Sequence, residues 1–184
     1  MLETLQQWDR DLFIFLNNLG IETHDSFWVF VTQIESWIPL FIAFLFIIFY
    51  YYKWKKGLVV FLFVLSCFAV TLLATDLTKE FVARLRPNND QLLSDLIRVL
   101  QKPTTYSFFS GHASTSMAIT TFMVLAIKRF NKWIYLAYLW PLIFMLSRIY
   151  VGVHYPSDIL VGALVGTCFA YLFFKLTKRV LNKL

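Results

Sequence analysis

An all-α fold, a polytopic transmembrane helix bundle of five spans preceded by an N-terminal interfacial amphipathic helix, is what this sequence predicts. Three observations carry that expectation. The chain is 59% hydrophobic and only 15% charged, with a mean hydropathy of +0.64, too apolar for a soluble domain of 184 residues. Apolar runs recur at 37–54, 58–77, 113–127, 133–153 and 159–176, most of them near the roughly 20 residues that a spanning helix needs. Basic residues collect between alternate runs, at Lys53, Lys55 and Lys56, then at Lys128, Arg129 and Lys132, and in the tail at Lys175, Lys178, Arg179 and Lys183. All eleven acidic residues fall on the other side, so the positive loops set an N-out, C-in topology.

Taken in order, Met1 to Asp11 lacks the basic start and apolar core of a signal peptide. Leu5, Trp8, Leu12, Phe15, Leu16 and Leu19 recur instead at helical spacing, which predicts a helix lying on the outer membrane face. Asp25 or Ser26 is expected to cap a second helix running on into the first span. Pro39 and Pro141 are tolerable within lipid, where neighbouring helices satisfy freed carbonyls, and the third span is short unless it begins near Phe108. In the connection 88–107, Leu92, Leu93, Leu96, Ile97 and Leu100 predict a short amphipathic helix resting on headgroups, with a lid over a site as the other reading. Cys67 and Cys168 lie within predicted spans, as buried free thiols. No repeat or composition break divides the chain, so it reads as one membrane domain: interfacial helices over 1–36, a catalytic bundle over 37–176 and a basic cytoplasmic tail over 177–184. The net charge of +6 is accounted for by membrane anchoring, and no basic stripe with interleaved aromatics is left over for nucleic acid.

Ionisable chemistry concentrates at three run ends, all on the acidic side: Lys79 to Pro87, Ser110 to His112, and Ser147 to Asp158. Lys79 and Arg86, seven residues apart, share a face if the second helix continues past the membrane surface, and both then reach one phosphate. Taken alone, snorkelling to headgroups explains them as well, and it is the reading for Arg84. Asp76 reads as a partner that orients Lys79. Ser110 and Gly111 open the third span, where free backbone N–H groups and the helix dipole suit an anion, and His112 beside them is placed as a general acid would be. A Ser N-cap followed by an interfacial histidine accounts for the same residues without function. Arg148 lies near the outer end of the fourth span, and His154 and Asp158 flank the turn at Tyr155 and Pro156. Asp158 can fix the tautomer of His154 and leave its other nitrogen as a nucleophile, or it can simply cap the last helix. His24, with no such company, is assigned no function.

Together, K-x6-R-P at Lys79 to Pro87, S-G-H at Ser110 to His112 and S-R-x5-H-x3-D at Ser147 to Asp158 resemble the three-part signature of the type 2 phosphatidic acid phosphatase superfamily. The resemblance implies a phosphohistidine on His154, oriented by Asp158, with His112 protonating the leaving group. It implies that Lys79, Arg86, Arg148, Ser110 and the Gly111 backbone hold the phosphate, with no metal or other cofactor. One departure is Phe109, where the family usually has proline before S-G-H; another is a count of five spans where its membrane members commonly have six. The expected activity is hydrolysis of a lipid phosphomonoester or pyrophosphate at the outer face of a bacterial plasma membrane. Undecaprenyl diphosphate, phosphatidylglycerophosphate, phosphatidic acid and lipid A phosphates all fit, and the oligomeric state is left open. A phosphotransferase using the same intermediate, or a non-enzymatic lipid-binding membrane protein, are the alternatives.

Overall fold

The computed structural model describes residues 2–93 and 95–184, and every regular element among them is helical. α1 (Leu2–Asn18) and α2 (Asp25–Val31) precede the long α3 (Ile38–Val82) and the apolar α4 (Gly111–Ile127). α5 (Leu139–Tyr150) continues a 3-10 segment, Lys132–Tyr138, and α6 (Pro156–Leu181) closes the chain. Among the described residues three stretches, 34–89, 132–150 and 156–181, are long and apolar enough to cross a membrane, whereas α4 is apolar but shorter, at 17 residues.

α3 is not one rod. Lys53 sits at φ 61°, ψ −179°, which interrupts the helical backbone and lets the two arms fold back on each other. Phe49 accordingly meets Trp54 and Phe61 at centroid distances of 5.3 and 6.5 Å. Phe44 and Ile48 of the first arm share one cavity with Phe61 and Val64 of the second. The arms correspond to the first two apolar runs of the sequence, separated by the Lys53 to Lys56 basic turn.

α4 is the axis of the bundle, in contact with α3, α5 and α6. It is buried from Thr120 to Ile127, and its buried Ser114, Ser116, Thr120 and Thr121 are small enough to admit close neighbours. Gly162 and Gly166 of α6 complete that approach: a Cβ on Gly162 would stand 2.7 Å from the Ser110 carbonyl, and one on Gly166 would collide with that of Ser114. Close backbone contact through small residues is how helices associate where hydrocarbon removes the hydrophobic drive between them.

Four local expectations are corrected. α2 stops at Val31 and does not run into the first span, because a 3-10 turn, Ile34–Trp37, intervenes. Asp25 opens α2 without capping it; its two oxygens accept from Arg98 at 2.7 and 2.8 Å, a charge-assisted pair stronger than a cap. The 88–107 connection forms no amphipathic helix among its described residues, whose only helical turn is Pro87–Asn89. Its groups have tertiary partners instead. Leu93 is buried in a cluster with Phe13 and Tyr155, and the Asn17 amide both donates to the Arg98 carbonyl at 3.1 Å and accepts from its N–H at 2.7 Å. Cys67 is buried as expected, while Cys168 is exposed on the outward side of α6.

α1 has two faces. Phe13 and Asn17 are fully buried against the bundle, while Leu5, Trp8, Leu12 and Phe15 are exposed.

Because α6 and α4 touch through backbone at Gly166, Gly166→Ala is expected to lower stability by about 1–3 kcal/mol, the usual cost of overpacking. Gly111→Ala, where the added carbon meets only ordinary contacts at 3.5 and 3.6 Å, should cost less. Thermal unfolding of both variants in detergent checks the order; equal losses would mean that the helices separate freely at Gly166.

Candidate active site

The first half of the site comes from the end of α3. Ala83 takes the left-handed conformation, φ 49° and ψ 34°, and its N–H returns to the Lys79 carbonyl at 2.9 Å, which stops the helix. Lys79 and Arg86 therefore do not share a helical face, as the spacing suggested, because residues 83–86 have left the helix. Arg86, 5% exposed, donates to the Thr105 carbonyl from Nε at 2.7 Å, to the Thr105 hydroxyl at 3.0 Å and to the Val153 carbonyl at 3.1 Å. Its remaining contact is with His154 Nε2, at 2.9 Å.

The second half comes from the turn between α5 and α6. Gly152, at φ 83°, reverses the chain, and Pro156 starts α6 with a φ already suited to a first helical turn. Asp158 lies in that turn with no exposed surface, so its Oδ2 reaches the Tyr155 N–H at 3.1 Å and His154 Nδ1 at 3.4 Å. Arginine can only donate, so Nε2 of His154 carries the lone pair and Nδ1 carries the proton, directed at the carboxylate. Burial first, then the charges of Arg86, Arg148 and Lys79, holds the His154 pKa well below the usual imidazole value. The ring is neutral at physiological pH.

α4 contributes its N-terminus. Ser110 caps it, accepting from the Ala113 N–H at 3.4 Å, and is tied to the last helix by its own N–H, which donates to the Asp158 carbonyl at 3.0 Å. Lys79 Nζ lies against Gly111, 3.6 Å from where a Cβ would stand, and pairs with Asp76 at 3.7 Å, the partner expected for it. The His112 ring packs on Phe144 at 4.6 Å and has no hydrogen-bond partner among the described residues. Arg148 donates to the Thr32 hydroxyl and, at 3.0 Å, to Gln101 Oε1, and its buried Nε is unpartnered. The charges of Lys79, Arg86 and Arg148 act on both histidines. Thus the predicted site residues converge: a neutral histidine with a directed lone pair, a second free imidazole, a helix N-terminus and three cations.

Arg84 does not snorkel. It donates to Ser157 Oγ and Asp158 Oδ1, both at 2.8 Å, and to Asp9 Oδ2 at 2.7 Å, with its guanidinium 3.9 Å over the Tyr155 ring. Asp9 of α1 also accepts from the N–H of Ser157 at 2.9 Å and from its hydroxyl. Spacing could have shown this, since residues two apart in extended chain share a face, and Arg84 and Arg86 both address the 153–158 turn. Asp9, Thr32, Gln101 and Thr105 were not legible, because they arrive from distant segments. Among the described residues, no three His, Cys, Asp or Glu side chains are grouped as metal ligands.

The PAP2 superfamily profile matches residues 60–181, which contain every residue of the three segments. A lipid A 4'-phosphatase of Bacteroides thetaiotaomicron is 27% identical over 98% of this chain and 83% of its own length. An undecaprenyl-diphosphatase of Sulfolobus acidocaldarius is 29% identical over 88% of this chain and 75% of its own. The crystal structure of a transmembrane PAP2-type phosphatidylglycerolphosphate phosphatase from Bacillus subtilis superposes with a TM-score of 0.77 at 20% identity, covering 96% of this chain and 88% of that one, so the fold is shared.

Arg84→Gln leaves the buried Asp158 carboxylate without its direct cation and is expected to cost about 3–5 kcal/mol of stability. Asp9→Asn keeps that pair and should cost nearer to about 1 kcal/mol, the scale of one lost hydrogen bond. Unfolding temperatures in detergent give the order, and a milder effect at Arg84 than at Asp9 would show that Asp158 is held by its backbone contact alone.

Proposed function

The chain belongs to the PAP2 superfamily, and from that premise we propose that it is a membrane-embedded lipid phosphatase working through a phosphohistidine. The observation that carries the reading is the chain of contacts from Arg86 through His154 to Asp158, which leaves a neutral Nε2 with its lone pair directed among three cations. In the first step the bound phosphate's negative charge offsets the three cations so that His112 carries a proton, Nε2 attacks phosphorus, the bond from phosphorus to the leaving oxygen breaks, and His112 gives that oxygen its proton. Arg86 passes from Nε2 to a phosphate oxygen as phosphorus takes its place. In the second step water attacks the phosphohistidine and loses its proton to His112, and phosphate departs with His154 restored. Lys79, Arg86 and Arg148, with Ser110 and the Gly111 N–H at the start of α4, bind the charge that builds on the equatorial oxygens. Three fixed cations supply the neutralisation that a metal provides elsewhere, so the reaction is assigned no metal.

The lipid part follows from a cavity of about 300 Å³ between the two arms of α3 and α4, lined by Phe41, Ile48, Phe68, Ile119 and Met123. Its wall includes Thr115, one turn beyond His112 on α4, so an acyl or prenyl tail seated there brings its headgroup to the imidazole. Lipid A phosphates, undecaprenyl diphosphate, phosphatidylglycerophosphate and phosphatidic acid are the candidate substrates. In the membrane, both arms of α3, α4, the 3-10 segment with α5, and α6 make five spans, with α1 lying on the outer face. The site then opens outward from a bacterial plasma membrane.

Phosphate release by the detergent-purified protein from a panel of those four lipids tests the chemistry. His154→Ala should abolish release, Asp158→Asn should retain a residue of it, vanadate should inhibit and chelators should leave it largely intact. Phosphate trapped on any residue other than His154, or an absolute need for magnesium, would overturn the mechanism.

Topology is tested in intact cells with a cysteine-free background, Cys67→Ala with Cys168→Ala. Cysteines at Asn89 and Lys102 should react with a membrane-impermeant thiol reagent, while those at Lys55 and Lys132 should be protected until the membrane is opened. The opposite pattern would turn the site to the cytoplasm.

A further inference from the structure

A second concave site lies at the far end of the bundle from the histidines. There the start of the second arm of α3, the end of α4 and the last turns of α6 enclose a pocket of about 290 Å³. Lys56, Lys128, Arg129 and Lys178 rim it, and Leu125 and Phe174 are among the apolar residues that line it. None of the four cations pairs with a carboxylate among the described residues; each described ion pair lies at the other end, where all the acidic residues are. Arg129 is held in place over two rings, 5.3 Å from the centroid of Tyr52 and 4.4 Å from that of Phe130.

Charge alone at this end would serve topology, and Lys53, Lys55 and Lys175 do that from outside this pocket. What sets the four apart is convergence on a cavity with an apolar lining. A free inorganic anion would gain nothing from Leu125 and Phe174, whereas an amphiphile would gain from both parts. We propose that this pocket binds the headgroup phosphate of an anionic phospholipid from the leaflet opposite the active site, its first methylenes lying along Leu125 and Phe174. Cationic pockets between spanning helices have the chemistry for this, with each basic side chain adding to the attraction. The inference rests on the membrane-spanning reading and is independent of the histidine chemistry.

The test uses the full chain in neutral detergent. Native mass spectrometry with added phosphatidylglycerol should show one retained lipid, displaced as salt rises, with phosphatidylcholine retained far more weakly. Lys128→Gln combined with Lys178→Gln should weaken phosphatidylglycerol retention by about tenfold or more, given the typical contribution of each cation. Lys55→Gln, at the same end but outside the pocket, should leave it unchanged. Equal retention in the double variant and the wild type, or equal retention of the zwitterionic lipid, would overturn the proposal. Competition by inorganic phosphate at concentrations equal to those of the lipid would overturn its lipid character. Phosphate release measured on the same preparations keeps the two readings apart: lost hydrolysis with retained lipid counts only against the catalytic one.

Discussion

The Asp158 carboxylate is the point on which the site depends. It has no exposed surface, and an isolated charge so placed would be driven to neutralise. Arg84, the Tyr155 N–H and the Nδ1 proton of His154 surround it, so the charge is kept where water cannot reach. Each of those partners is thereby also fixed. His154 is held in one tautomer, Tyr155 at the start of α6, and Arg84 between the last helix and Asp9 of the first. One carboxylate thus ties the N-terminal helix, the end of α3 and the last turn into a single arrangement.

Around that anion the remaining site is a concentration of like charge. Lys79, Arg86 and Arg148 stand close enough for their fields to meet on both histidines, and Arg86 and Arg148 are almost fully buried. Coulomb repulsion in such surroundings is screened far less than in water. The protein answers it with neutral acceptors: the carbonyls of Thr105 and Val153 for Arg86, and Thr32 and Gln101 for Arg148. Dipoles orient the guanidinium groups without cancelling them, so the net positive potential is left for an incoming dianion. Gln101 and Thr105 both come from the 88–107 connection, where they stand outside any helix. A helix would have spent its backbone acceptors internally.

Much of this was legible in the sequence, and the parts that were not share a cause. Hydropathy placed the helices, because a helix that can cross hydrocarbon needs a long apolar run, and such runs are visible without any structure. The motif residues converged because their chemistry, two imidazoles with cations and a carboxylate at run ends, has few other uses at a membrane edge. Lys53 was readable only as a basic turn; that it takes a left-handed φ follows from how the two arms pack. Arg84 was misread through helical geometry carried one residue too far, past the stop at Ala83. Asp9 carried no local signal, and the local signals of Asp25, as a helix cap, and of Leu93, as part of an amphipathic helix, were misleading, since each is defined by a partner 60 or more residues away: Arg84 for Asp9, Arg98 for Asp25 and Phe13 for Leu93.

The two ends of the bundle solve opposite electrostatic problems. At the histidine end acidic and basic side chains pair densely, and Arg86 and Arg148, with neutral acceptors in place of carboxylates, stand out among them. At the opposite end Lys56, Lys128, Arg129 and Lys178 gather with no acidic side chain among the described residues that line their pocket. α4 spans both situations. Its N-terminus, with the positive end of the helix dipole, faces the histidine site, and its C-terminus, with the negative end, is followed at once by Lys128 and Arg129. The helix is too short to span comfortably by itself, yet it is the most enclosed in the bundle, so its ends are set by α3 and α6 rather than by lipid. Small residues along the α4–α6 contact make that enclosure tight, and tight packing is what lets a 17-residue helix hold two ionic sites at fixed separation.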